Sequence, residues 1–206
     1  MDIKNYAFGI TTCLLLVCIT GCITPEPGAE ARFYLLQPVP AESPVTRLAG
    51  EPVVSVGPIE LSPYLSHPQI AGRVSTHEVV YDEMRRWAEP LEKNISWTLC
   101  ENLAHVLGSA RVHPFGSPAA AGSDVTIPIQ ILRFEKQPGG RVLLDASWAV
   151  ARDGSQDRPR RGSASLEESV SQDDMEHVVA AQSGLLAELS RRIAADVAEV
   201  LSEGRE

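Results

Sequence analysis

Two segments in which apolar and polar residues alternate constrain the fold of this chain most. Apolar side chains occupy every second position in residues 125–131, and the same period returns in residues 142–150 after Pro138-Gly139-Gly140. A period of two places alternate side chains on one face of a strand, and Pro-Gly-Gly favours a turn. Asp153-Gly154 indicates a second turn before a more polar segment, residues 161–171. We therefore predict a three-stranded antiparallel meander whose last strand faces solvent or forms an edge.

Two further segments have the apolar spacing of amphipathic helices. Pro90 suits the first position of a helix, and apolar residues then recur every three or four positions until Gly108, which favours the end of a helix. A second stripe of this kind extends over residues 175–202. Each helix buries its stripe only if it packs on another element, and a sheet offers the necessary face.

Shorter apolar segments complete the predicted sheet. They predict strands at residues 32–36, 53–61, 69–74 and 78–81. Together with the meander and the helices, they predict one α/β domain, with a mixed sheet of about six strands and two main amphipathic helices packed on it.

The first 22 residues have the features of a bacterial lipoprotein signal. The uncharged run in residues 7–19 is too short to cross about 30 Å of hydrocarbon but fits a signal peptide. Ile19-Thr20-Gly21-Cys22 resembles the lipobox, in which small residues admit a peptidase and the thiol accepts diacylglycerol. We predict a signal peptide at residues 1–21, lipidation at Cys22, a tether at residues 22–31 and a periplasmic domain at residues 32–206. The alternative is a short membrane anchor that contains cysteine by chance.

Charge and cysteine content exclude several classes of protein. The net charge of −9 argues against nucleic-acid binding, which requires basic residues to neutralise phosphates. The basic segment Arg158-Pro159-Arg160-Arg161 is interpreted as a solvated hairpin tip, with an anion or lipid-headgroup site as the alternative. Apart from Cys22, the predicted mature chain contains only Cys100, so no intramolecular disulfide is expected.

The sequence contains no recognisable catalytic motif. None of the five histidines has the spacing of a zinc site, and G-x-S-x-G, GxGxxG and Walker sequences do not occur. Cys100 lies within the apolar pattern of the first helix, which favours a buried and inert thiol. We therefore predict a protein that is not an enzyme and binds neither cofactor nor metal.

Several short motifs occur in an order that resembles one protein family. Phe33-Tyr34-Leu35-Leu36 comes first, and residues 56–61 lead to Pro63-Tyr64-Leu65 and Pro68-Gln69-Ile70. Arg86-Trp87-Ala88-Glu89-Pro90-Leu91 then opens the first helix. This order and spacing resemble the PqiC/YmbA family of ABC-type transport auxiliary lipoproteins, over essentially the whole chain after the lipobox.

The resemblance implies a location, partners and a fold. It implies a lipoprotein of the outer membrane that faces the periplasm, and Ile23 after the lipidated cysteine is compatible with export there. It implies two partners that move lipid across the envelope: a mammalian-cell-entry (MCE) domain protein and an inner-membrane permease. The implied fold is of the anticodon-binding-domain-like α/β class.

Four residues near the start of the first helix are candidates for contact with a partner or a lipid. They are Tyr64, Leu65, Arg86 and Trp87. The alternative is that they pack this connection against the core. The main functional hypothesis is a non-enzymatic adaptor that docks an MCE-type transporter to the outer membrane. The alternative is a periplasmic lipoprotein that itself binds a lipid or apolar ligand, and the sequence leaves the oligomeric state open, a homo-oligomer included.

Overall fold

The alternating segments form neighbouring long strands of one mixed sheet. In the computed structural model, residues 30–39, 48, 50–109, 111–171 and 174–203 are described. The predicted signal peptide and Cys22 therefore lie outside the described residues. The strands are β1 (Arg32–Tyr34), β2 (Val54–Leu61), β3 (Gln69–Arg73), β4 (Val79–Trp87), β5 (Val112–Pro114), β6 (Val125–Gln137), β7 (Arg141–Arg152) and β8 (Arg160–Ser169). The helices are α1 (Leu91–Leu107) and α2 (Met175–Glu203), and the chain from Ala31 to Glu206 forms one compact unit.

Strand β6 organises the sheet. It pairs with β7 in antiparallel fashion, and β7 pairs with β8, so the predicted meander is present with β8 at an edge. Both β2 and β3 run parallel to β6, with β2 beside its first half and β3 beside its end. β5 extends the sheet beyond β2, whereas β4 and then β1 extend it beyond β3. The mixed α/β fold is thus confirmed, with eight strands among the described residues.

The two helices cover the sheet and enclose the apolar core. α1 begins after Pro90, which is the capping residue instead of the first helical residue, and ends at Gly108 with a left-handed φ of 59°. The helices contact each other, and α2 also packs on β7 and β8. Neither helix among the described residues combines the length and hydropathy that a membrane crossing requires. Large side chains with almost no exposure fill the core, among them Ile95, Leu103, Ile127, Leu144, Leu186 and Ile193.

A register shift changes the phase of β6. Between Ile131 and Arg133 the pairing with β7 slips by one residue. Phe134 therefore occupies the core position that simple alternation would give to Arg133. Glu135 and Gln137 then project to the other face of the strand, where both are buried. The bulge thus brings two polar side chains to the end of a strand that is otherwise apolar.

The basic segment, residues 158–161, is exposed where the β7–β8 connection enters β8, as predicted, but Arg160 also has a structural role. Arg160 begins strand β8, and its Nε lies 2.6 Å from Asp196 Oδ1 on α2. The Arg160 Nη2 atom lies 2.5 Å from Glu199 Oε2, one turn further along. Trp148 of β7 donates from its indole nitrogen to the other oxygen of Asp196, at 2.8 Å. This arginine therefore joins the edge strand to the helix.

Candidate functional site

The carboxylate of Glu135 is buried and lies beside Tyr64, one of the candidate residues. Glu135 has no exposed side-chain surface and accepts hydrogen bonds from four side chains or backbone groups within 3.0 Å. The donors are Tyr64 Oη at 2.7 Å, Arg73 Nε at 3.0 Å, Gln137 Nε2 at 2.7 Å and the backbone N–H of Phe134 at 2.9 Å. Buried charges are stable only when they are paired and hydrogen-bonded, and this one is.

Tyr64 is a structural partner of that carboxylate. It belongs to a 3₁₀ turn, Pro63–Ser66, which joins β2 to β3. Burial, together with its hydrogen bond to Glu135, raises the pKa of the Tyr64 hydroxyl well above its usual range, so the tyrosine stays protonated. A second hydrogen bond also holds this turn, since Tyr81 Oη donates to the Tyr64 carbonyl at 3.0 Å. The sequence offered one signal for this cluster: Arg133, Glu135 and Gln137 alternate directly after an apolar run.

The other three candidates lie at different depths. Leu65 is 2% exposed and Trp87 is 5% exposed, and both belong to the core cluster. Arg86 is half-buried in β4, where it is the register partner of Phe33 in β1 and of Gln69 in β3. The structure therefore places Leu65 and Trp87 under the connection and leaves parts of Tyr64 and Arg86 at the surface. Contact with a partner remains a prediction for these residues.

A cleft opens beside Trp87. It has a volume of about 430 Å³ and is lined by Leu61, His67, Pro68, Trp87 and Glu92, among others. The predicted connection between the hairpin and the first helix thus forms one wall of a concave surface, which is the shape that small ligands and inserted side chains require.

Two exposed aromatic residues lie beside a second groove. Trp97 of α1 is 56% exposed, and Phe115, which follows β5, is 55% exposed. They line a groove of about 500 Å³, with Pro58 and Glu92 also in its wall. Because Glu92 lines both concave regions, the groove and the Trp87 cleft are adjacent, and we call them together the α1 strip. Neither Trp97 nor Phe115 is among the four candidates that the sequence suggested.

A third and larger cleft lies between the β3–β4 hairpin and the start of α2. Its volume is about 700 Å³, within the usual range for small-molecule sites. Apolar side chains from Ile70, Val80, Val170, Met175 and Val178 line it. Arg73, Arg85 and Lys136 contribute cationic groups, although Arg73 is paired with Glu135 and Arg85 with Asp82 at 3.3 Å.

The described residues show no arrangement suited to metal binding, and Cys100 is buried. Within the described part of the chain, no three His, Cys, Asp or Glu side chains are grouped to hold a metal ion. Burial raises the pKa of the Cys100 thiol to about 12, which keeps it protonated at neutral pH.

Solved structures share this fold. One, a crystal structure of an uncharacterised protein, has 21% identity and a TM-score of 0.67, and the match covers 82% of this chain and 99% of that one. Another, a Xanthomonas campestris protein of the DUF330 family, has 18% identity and a TM-score of 0.61, with 86% and 95% covered. At these identities the likeness concerns the fold.

A family model also matches the chain. The model is described as the ABC-type transport auxiliary lipoprotein component, and it matches residues 34–194. The match spans every strand and helix from the end of β1 into α2, and it includes Tyr64, Glu135 and the α1 strip. No curated protein sequence matches the chain.

Proposed function

The chain belongs to the family of ABC-type transport auxiliary lipoprotein components, and from this membership we propose that it is a non-enzymatic adaptor that docks an MCE-type transporter to the outer membrane. The family match is the observation that carries the proposal, because it covers most of the chain and names a transport role. The lipobox at Cys22 supports anchoring by lipid. Anchoring would need more than one acyl chain, since a single chain binds a bilayer only marginally.

The proposed partners are an MCE-domain protein and an inner-membrane permease. An adaptor of this kind needs a surface for the MCE protein, and we place that surface on the α1 strip. Exposed aromatic residues are the usual anchors of protein interfaces, and Trp97 and Phe115 supply two of them beside a groove. Tyr64 and Arg86 would then contact the partner from the neighbouring connection, over the buried Leu65 and Trp87.

Cross-linking in cells tests the proposal. The tagged full-length chain should capture an MCE-domain protein and fractionate with the outer membrane, and labelled palmitate should enter the wild type but not Cys22→Ser. Trp97→Ala should reduce the captured MCE protein, whereas Val74→Ala, which alters a 49% exposed apolar residue in the β3–β4 hairpin, should not. Capture that lacks any MCE or permease subunit would contradict the adaptor role.

The 700 Å³ cleft favours a second candidate, direct binding of a lipid or apolar ligand. Its apolar walls suit acyl chains. Native mass spectrometry of the protein purified from membranes should then show bound lipid. A bulky substitution in the cleft, Val80→Trp, should remove that lipid without loss of the captured MCE protein. A lipid-free wild type would eliminate this candidate.

A further inference from the structure

The segment that enters the domain has two apolar faces. Residues 32–39 begin with strand β1, and within this segment Tyr34 is half-buried and Leu36 is only 2% exposed. The alternate positions point outward: Phe33 is 63% exposed, Leu35 43% and Val39 42%. A surface strand with one buried face normally carries polar residues on the other. Here three of the four outward residues are apolar, and only Gln37 is polar.

Buried polar side chains fix this orientation. The backbone N–H of Leu36 donates to Asn94 Oδ1 at 2.7 Å, and that of Val39 donates to Asn102 Oδ1 at 2.9 Å. Between them, the N–H of Gln37 donates to Ser183 Oγ at 3.1 Å. All three acceptor residues are buried in the helices. The segment therefore cannot rotate to bury Phe33 and Leu35 without breaking these hydrogen bonds.

The covalent chain sets an upper limit on the distance between this face and the lipidation site. Only nine residues separate Cys22 from Arg32, so the two Cα atoms are at most about 35 Å apart even if the chain is fully extended. Phe33 is the first large apolar residue after Ile23. Among the described residues, three of the nine exposed large apolar side chains occur within residues 33–39.

We propose that the outward face of residues 33–39 rests on the phospholipid surface to which Cys22 anchors the chain, which orients the domain on the membrane. The surface that fits is zwitterionic. Asp174 and Glu176 line the same shallow concavity as Phe33 and Leu35, together with a single cation, Arg32, so carboxylates are in excess there and disfavour an anionic surface. This inference rests on the proposed lipid anchoring, and it adds a second contact with the bilayer.

Photo-cross-linking from single positions tests the contact. The full-length lipidated chain, carrying benzoylphenylalanine in place of Phe33 or Leu35, is inserted into phosphatidylcholine vesicles and irradiated. The same probe in place of Leu132 is the control, because that residue is similarly exposed on β6. We expect several-fold more lipid adduct from positions 33 and 35 than from 132, and less adduct when phosphatidylglycerol is added.

Other outcomes overturn the proposal in distinguishable ways. Equal adduct at all three positions, or cross-links only to a second copy of the chain, would show that this face does not rest on lipid. A higher yield on vesicles with phosphatidylglycerol would contradict the choice of a zwitterionic surface. A chain that carries no lipid and does not float with the vesicles would overturn both the anchoring and this contact.

Discussion

At the scale of single residues, Glu135 is the side chain whose surroundings sequence reasoning did not anticipate. Its charge is held by Tyr64, Arg73 and Gln137 beneath the connection that leads to the α1 strip. Arg73 also donates from Nη1 to the Thr76 carbonyl at 3.1 Å, so this one carboxylate joins the 3₁₀ turn, the hairpin and strand β6. We infer that the cluster gives the connection its rigidity.

Removal of one hydrogen-bond donor to the Glu135 carboxylate should lower the stability of the fold. Tyr64→Phe should lower the free energy of unfolding by about 1.5–3 kcal/mol, because the lost hydrogen bond is to a charged and buried acceptor. Tyr81→Phe is the matched control: its hydroxyl donates to a neutral carbonyl, so the loss should be nearer 1 kcal/mol. Urea denaturation of both variants measures the difference, and an equal or smaller loss for Tyr64→Phe would contradict the account.

Substitution of the two tryptophans of the α1 strip should affect the stability of the fold to very different extents. Trp87→Ala should cost about 3–5 kcal/mol of stability, because it leaves a large cavity in the core. Trp97→Ala should change stability by less than about 0.5 kcal/mol, because most of that side chain is exposed. Thermal or urea unfolding distinguishes the two, and a stable Trp87→Ala variant would show that its side chain does not belong to the core.

Cys100 should be almost unreactive in the folded protein. With a pKa of about 12 instead of 9, its thiolate fraction at pH 8 is about 1000-fold lower than that of a free thiol. A raised pKa stabilises the fold while the thiol is protonated, so this contribution is present below pH 9 and is lost as pH rises towards 12. In a protein with Cys13, Cys18 and Cys22 all replaced by Ser, alkylation of Cys100 at pH 8 should therefore be at least about 1000-fold slower than in urea. Comparable rates would contradict the buried position.

At the scale of elements, long periodic segments could be predicted and short or irregular ones could not. The β6–β7–β8 meander and both helices are long enough for the periodic spacing of their apolar residues to be recognised in the sequence. β5 has three residues, too few for a pattern. The predicted end of its neighbour β4 at Tyr81 is too early, because residues 82–86 are mostly charged although the strand continues to Trp87. The bulge in β6 shifts the phase by one residue, so the burial of Glu135 depended on geometry that composition does not encode.

The entry segment provides a test at this scale. Asn102→Ala removes the acceptor of the Val39 N–H, so hydrogen exchange at that amide should accelerate about tenfold, which corresponds to a loss of roughly 1.4 kcal/mol. Asn94→Ala should do the same at Leu36 and leave Val39 little changed. Exchange measured by NMR at the two amides separates these effects. Equal acceleration of both amides in both variants would show that the segment opens as one unit.

At the scale of the whole molecule, one α/β domain has two surfaces, one proposed for a protein partner and one for the membrane. The α1 strip, with Trp97 and Phe115, is proposed for the MCE protein, and residues 33–39 are proposed for the membrane. The family match gives the transport role, whereas the MCE partner and the outer membrane are proposals that extend it. The net charge of −9 is consistent with both, since neither surface needs an anionic partner.

The affinity of the purified chain for an MCE-domain protein of the same organism tests the central claim most directly. Biolayer interferometry with the Cys22→Ser protein should show saturable binding with a Kd in the micromolar range or tighter, which corresponds to about −8 kcal/mol. Trp97→Ala should weaken it by about 2 kcal/mol, and Val74→Ala should not. Absence of binding at concentrations of about 100 μM, with both proteins folded, would contradict the adaptor function.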